Sequence, residues 1–134
     1  MPMISIERPP RLSDVAKQKM VADVTHAADE AFQVGDVRVW PREYPPELYA
    51  QDGVIGAPVR PIATLEASEL GNIEAKRTVV ERIDAALAKA CEGFADTSNI
   101  MVFTNAYPLE QVGWAGRMQS DRPEIVAAVR QLAG

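Results

Sequence analysis

The sequence predicts an α/β chain of two layers, in which tandem β-α-β units form one four-stranded sheet with two helices on one face. Three observations carry that expectation. Two long apolar stripes at helical spacing are each flanked by short strand-like runs, and the same order of elements occurs twice. Short segments also recur in register: Ala16-Lys17 is matched by Ala75-Lys76, and Tyr44-Pro45-Pro46-Glu47 by Tyr107-Pro108-Leu109-Glu110. The expected organisation is one domain over 1–134, with a first unit at 2–57, a second at 59–118 and a C-terminal tail at 119–134.

Met3-Ile4-Ser5-Ile6-Glu7 alternates as a strand, and Arg8-Pro9-Pro10-Arg11 ends it because two prolines remove consecutive donors. Ser13 is the expected N-cap of the first helix, with Asp14 in the first turn and Val15, Ala16, Met20, Val24, Ala27, Ala31 and Phe32 along one stripe. Gly35 is expected to end it. Val37-Arg38-Val39-Trp40 reads as the second strand, followed by a turn-rich segment from Tyr44 to Gly53. Val59 to Leu65 reads as the third strand. Asn72 caps a second helix striped by Val79, Val80, Ile83, Leu87, Ala90 and Cys91, which Gly93 stops. Ile100-Met101-Val102-Phe103 is the fourth strand, and Pro123 to Leu132 a short helix with proline in its first turn. Parallel crossovers of this kind cover one sheet face with helices, so the other face, with Ile and Val expected on it, needs a partner.

The 134 residues carry 14 basic and 19 acidic side chains, a formal net charge of −5. That balance argues against a phosphate-backbone partner, because nucleic-acid affinity draws on clustered Lys and Arg. One Cys excludes an internal disulfide framework and cysteine-cluster metal sites. No segment approaches the ~20 apolar residues of a membrane span, and no basic-then-apolar leader opens the chain. The expectation is a soluble, cytoplasmic protein without metal.

Four features stand in register along the first unit: Pro2 ahead of the first strand, Ser13-Asp14 with Lys17 at the helix start, Val37-Arg38-Val39 on the second strand, and Pro45 to Gly53 with Tyr49 at an aromatic position. Over about residues 2–118 the chain resembles the tautomerase superfamily, in its fused members with two oxalocrotonate-tautomerase-like β-α-β units. The departures are specific. The family's helix-start arginine falls on Leu12, with Arg11 one place earlier; Met101 replaces the strand arginine in the second unit; and the chain runs on through Pro61, so no amine exists there. Phe103 and Trp114 stand where dehalogenating members carry a tyrosine and a glutamate, and Glu66-Ala67-Ser68-Glu69 lacks their arginines, which disfavours halide-releasing hydration.

The resemblance implies a cofactor-independent keto–enol tautomerase acting on a small 2-keto or 2-hydroxydienoic acid. Removal of Met1 would free the Pro2 amine, and desolvation with a nearby cation would lower its pKa enough for general-base work. Arg38 would hold the substrate carboxylate, Arg11 or Arg60 would polarise the enolate oxygen, and Tyr49 and Trp114 would wall the site. Two other readings stay open. One is a proline-dependent decarboxylase or hydratase, which needs an extra carboxylate beside Pro2; the other is a non-catalytic oligomer of the same fold. Asp36 and Asp52 read as turn residues, His26 as an exposed helix residue, Cys91 as core, and Gly113-Trp114-Ala115-Gly116 as a tight turn at a subunit contact. The expected assembly is a homotrimer, because short family members use six single-unit chains.

Overall fold

A computed structural model describes residues 1–33 and 35–133; Val34 and Gly134 lie outside the described residues. The chain runs β1 (Met3–Arg8), α1 (Asp14–Phe32), β2 (Arg38–Glu43), β3 (Ala50–Gln51), β4 (Val54–Ile55), β5 (Ile62–Ala67), α2 (Ile73–Ala90), β6 (Met101–Ala106), β7 (Gly113–Trp114), β8 (Arg117–Met118) and α3 (Pro123–Ala133). The four long strands form one sheet in the order β2-β1-β5-β6. Each unit contributes a parallel pair, and the two pairs meet antiparallel at β1 and β5.

Register makes the two units equivalent residue by residue. Arg38 pairs with Met3 as Met101 pairs with Ile62, so Met101 occupies the second unit's arginine position. Ile4, Ile6 and Leu65 point from the sheet toward α1 and α2, where Met20, Val24, Ile83 and Leu87 complete the core. Both helices begin as expected: the Ser13 side chain accepts from the Ala16 N–H, and the Asn72 side chain from the Glu74 N–H. Cys91 is fully buried in this core, and burial pushes its thiol pKa up.

The structure shifts several boundaries. α1 stops at Phe32 rather than at Gly35, because Gln33 takes the left-handed conformation (φ 56°) and its N–H closes onto the Asp29 carbonyl. β2 begins at Arg38 and continues past Pro41 to Glu43; it is an edge strand, where a missing donor can face away from the ladder. β5 begins after Pro61, although Val59 is buried. The segments read as turns contain two small hairpins, β3-β4 and β7-β8. Their central residues, Asp52-Gly53 and Ala115-Gly116, all have positive φ, the geometry of type I′ turns whose twist matches that of paired strands.

The face away from the helices differs from expectation in its residues. Val39 and Val102 lie in register with the buried Ile4 and Ala63, on the helix side. The open face instead carries Met3, Trp40, Ile62, Met101 and Phe103, with Trp40 42%, Phe103 44% and Met101 55% exposed. Among the described residues no helix is long and apolar enough to cross a membrane. Leu87 is fully buried between the layers, so Leu87→Ala should cost about 2–5 kcal/mol in urea unfolding at fixed protein concentration.

Candidate active site

β1 lies inside the sheet, and the residue just before it is therefore held there. Pro2 is fully buried, and its carbonyl accepts a 3.1 Å hydrogen bond from the Arg38 N–H. Its neighbours on either side, Met1 and Met3, line a cavity of about 440 Å³. The first unit supplies Met1, Met3, Asp36 and Arg38 to its lining; the second supplies Glu66, Tyr107, Trp114 and Gln119 among others. The site is thus built between the two units of one chain.

The Met1 amine at the cavity is half-buried, and burial lowers its pKa below the ordinary α-amino value, while the Asp36 charge opposes that shift. Asp36 was read from sequence as a turn residue; here its carboxylate faces Arg38 across two hydrogen bonds of 3.2 Å, to Nε and to one Nη. The Arg38 hydrogen bond holds Asp36 below the usual carboxylate range, and Asp36 in turn raises Arg38. A guanidinium has five N–H donors, so the rest of the Arg38 fork is left for another anion.

Trp114 is held by Arg122, whose guanidinium lies 4.6 Å above the indole centroid and donates a 2.9 Å hydrogen bond to the Trp114 carbonyl. The tight turn expected at Gly113 to Gly116 is present, folded over the start of its own chain.

The remaining expected site residues lie elsewhere. Arg60 and Tyr49 meet in a separate open cleft of about 600 Å³ around Pro61, the second unit's counterpart of Pro2. Arg60 there pairs with Asp96 at 3.3 Å. Arg11 is exposed in a left-handed conformation (φ 77°) and lines neither cavity. In one chain Arg38 and Trp114 therefore line one cavity, with Pro2 hydrogen-bonded through its carbonyl to the Arg38 N–H, and Arg11, Arg60 and Tyr49 lie apart. His26 sits exposed on α1, 3.1 Å from Glu30. Among the described residues no three His, Cys, Asp or Glu side chains converge as a metal site.

Gln119 did not emerge from the sequence. It follows the second hairpin where Gly56 follows the first, and the two residues make the same backbone bond: Gly56 N–H to the Tyr49 carbonyl at 3.0 Å, Gln119 N–H to the Val112 carbonyl at 2.9 Å. That break in the repeat was its one sequence signal.

No family model and no curated protein matches the sequence. Solved structures do match its fold. A native fused 4-OT has a TM-score of 0.78 at 20% identity, over 90% of this chain and 98% of that one. A fused 4-OT wild-type symmetric trimer has a TM-score of 0.78 at 15% identity, over the same shares. N1, a member of the cis-3-chloroacrylic acid dehalogenase family, has a TM-score of 0.71 at 12% identity, over 87% of this chain and 82% of that one. The chain has the fold of the tautomerase superfamily in its fused, two-unit form.

Proposed function

We propose that the protein is a cofactor-independent keto–enol tautomerase of a small 2-keto or 2-hydroxydienoic acid, with the Pro2 amine, freed by removal of Met1, as general base. The observation that carries this reading is the position of Pro2. It is buried between Met1 and Met3, which line a cavity where the Met1 amine is partly desolvated, and its carbonyl accepts the Arg38 N–H.

A secondary amine kept neutral there takes a proton from one atom of the substrate and returns it to another. The substrate carboxylate lies on the Arg38 donors that Asp36 leaves free, and Trp114 covers the site against water. Arg11, Arg60 and Tyr49 lie away from this cavity in their own chain, so any part they take is across a subunit boundary. A closed homotrimer supplies such a boundary and buries the open sheet face with Trp40, Met101 and Phe103. The fused 4-OT symmetric trimer of the same fold supports that assembly.

One observation favours a second reading. Asp36 is a carboxylate beside the terminal amine, the extra group that a proline-dependent decarboxylase or hydratase of a small unsaturated or keto acid requires. Release of carbon dioxide from, or addition of water to, a three-carbon acid distinguishes it from proton transfer alone.

In the tautomerase reading, an active preparation lacks Met1 by intact mass, and Pro2→Ala lowers ketonisation of phenylpyruvate enol or 2-hydroxymuconate by at least about 10². Full retention of Met1 in an active preparation contradicts it. Light scattering should give three times the chain mass of 14.6 kDa, and a stable, fully active monomer would contradict the trimer.

A further inference from the structure

The cavity that Met1 and Arg38 line holds two polar groups that the reaction so far leaves unused. The Tyr107 hydroxyl donates a 3.1 Å hydrogen bond to the Met1 carbonyl. Gln119 borders the same cavity, is 1% exposed, and its side-chain Nε2 has no hydrogen-bond partner among the described residues. A buried amide left unpaired costs about 1–3 kcal/mol, so its presence calls for a reason. The backbone turn does not supply one, since the first unit makes the same turn with Gly56. Tyrosine is present at both ends, as Tyr44 and Tyr107, each with its N–H on the last carbonyl of the neighbouring parallel strand, Arg8 at 2.8 Å and Ala67 at 3.0 Å. Only the end where an amine can be freed adds the glutamine.

The Met1 carbonyl carbon is bonded to the Pro2 nitrogen, so the oxygen that Tyr107 binds lies two bonds from the atom that acts as base. Cleavage of Met1 removes that oxygen and leaves Tyr107 and Gln119 as two donors beside the amine. We propose that Tyr107 and Gln119 bind the 2-keto oxygen of the substrate and stabilise the negative charge that develops on it, with the Met1 carbonyl standing in for that oxygen. The assignment rests on the tautomerase reading and names the groups that hold its enolate.

The step balances within the site. The Pro2 nitrogen takes the proton from carbon 3, the C–H pair becomes the C2=C3 bond, and the carbonyl π pair moves onto oxygen. The ammonium proton then passes to that oxygen, or to a carbon further along a conjugated chain, and the free amine is restored. Burial lifts the Tyr107 phenol above its ordinary pKa; the Gln119 amide opposes that shift and Glu66 adds to it, so the hydroxyl remains a donor at neutral pH.

Calorimetry on Met1-free protein with 2-oxo-4-phenylbutanoate and 4-phenylbutanoate, which differ in the keto oxygen, isolates this contact. The wild type should prefer the oxo acid about tenfold or more, and Tyr107→Phe or Gln119→Met should remove most of that preference while binding 4-phenylbutanoate within about twofold of wild type. Each variant should also lower kcat for ketonisation by about 10², a loss larger than the one in ground-state binding. If Gln119→Met fails to fold, Tyr107→Phe, which keeps the ring and loses one hydroxyl, decides. A wild type that binds neither acid and turns over no enol overturns the tautomerase reading and this pair together. A wild type that is active but shows no oxygen preference, or variants that keep both preference and kcat, overturn the pair alone.

Discussion

The first strand lies inside the sheet, hydrogen-bonded along both edges, and this holds the start of the chain more tightly than a terminus at a surface. Pro2 inherits that order. Its carbonyl is taken by the Arg38 N–H and its ring is buried, so an amine freed at this residue is positioned by the sheet and not by a loop. The same ladder bond sets the distance from Pro2 to the arginine proposed to hold the substrate. Base and clamp are adjacent because their strands are.

Duplication explains the two ends of the sheet and the difference between them. Pro61 is buried as Pro2 is, but it sits in mid-chain, so its nitrogen is an amide with no basicity to offer. Around it the polar residues have diverged: Met101 stands in the arginine position, and Gly56 where the other end has Gln119. Arg60, in the place of Met1, is bound to Asp96. The second unit supplies the first with a partner strand, β5, and with the Tyr107–Gln119 segment that roofs the cavity. One unit carries the terminus and the other encloses it.

The helices, their caps and the repeat were legible in the sequence because each depends on local chemistry: a Ser or Asn side chain free to accept from the first turn, and apolar residues at helical spacing. Strand ends were less so. β2 continues through Pro41 because it is an edge strand, which only the tertiary order of strands reveals. Motif register paired Pro2 with Arg38 but also brought in Tyr49, which sits with Arg60 at the opposite end because β1 and β5 meet antiparallel; Trp114, outside that register, lines the cavity with Arg38. Asp36 was hidden for a different reason. A short polar residue with positive φ reads as a turn wherever it occurs, and only the structure shows its carboxylate on Arg38.

Two opposed influences act on the Met1 amine, which stands where a freed Pro2 amine would meet the same Asp36. Burial disfavours the ammonium and lowers its pKa; the Asp36 carboxylate favours the ammonium and raises it, and burial is the larger. The general base proposed here needs the neutral amine, so that proposal depends on burial winning. Nuclear magnetic resonance titration of Met1-free protein labelled with 15N-proline observes that balance at the Pro2 nitrogen. The account predicts a pKa below the ordinary α-amino value of about 8, and a further fall in Asp36→Asn, where the charge that favours the ammonium is gone. A Pro2 nitrogen that titrates at or above about 8, or that Asp36→Asn shifts upward, would contradict it.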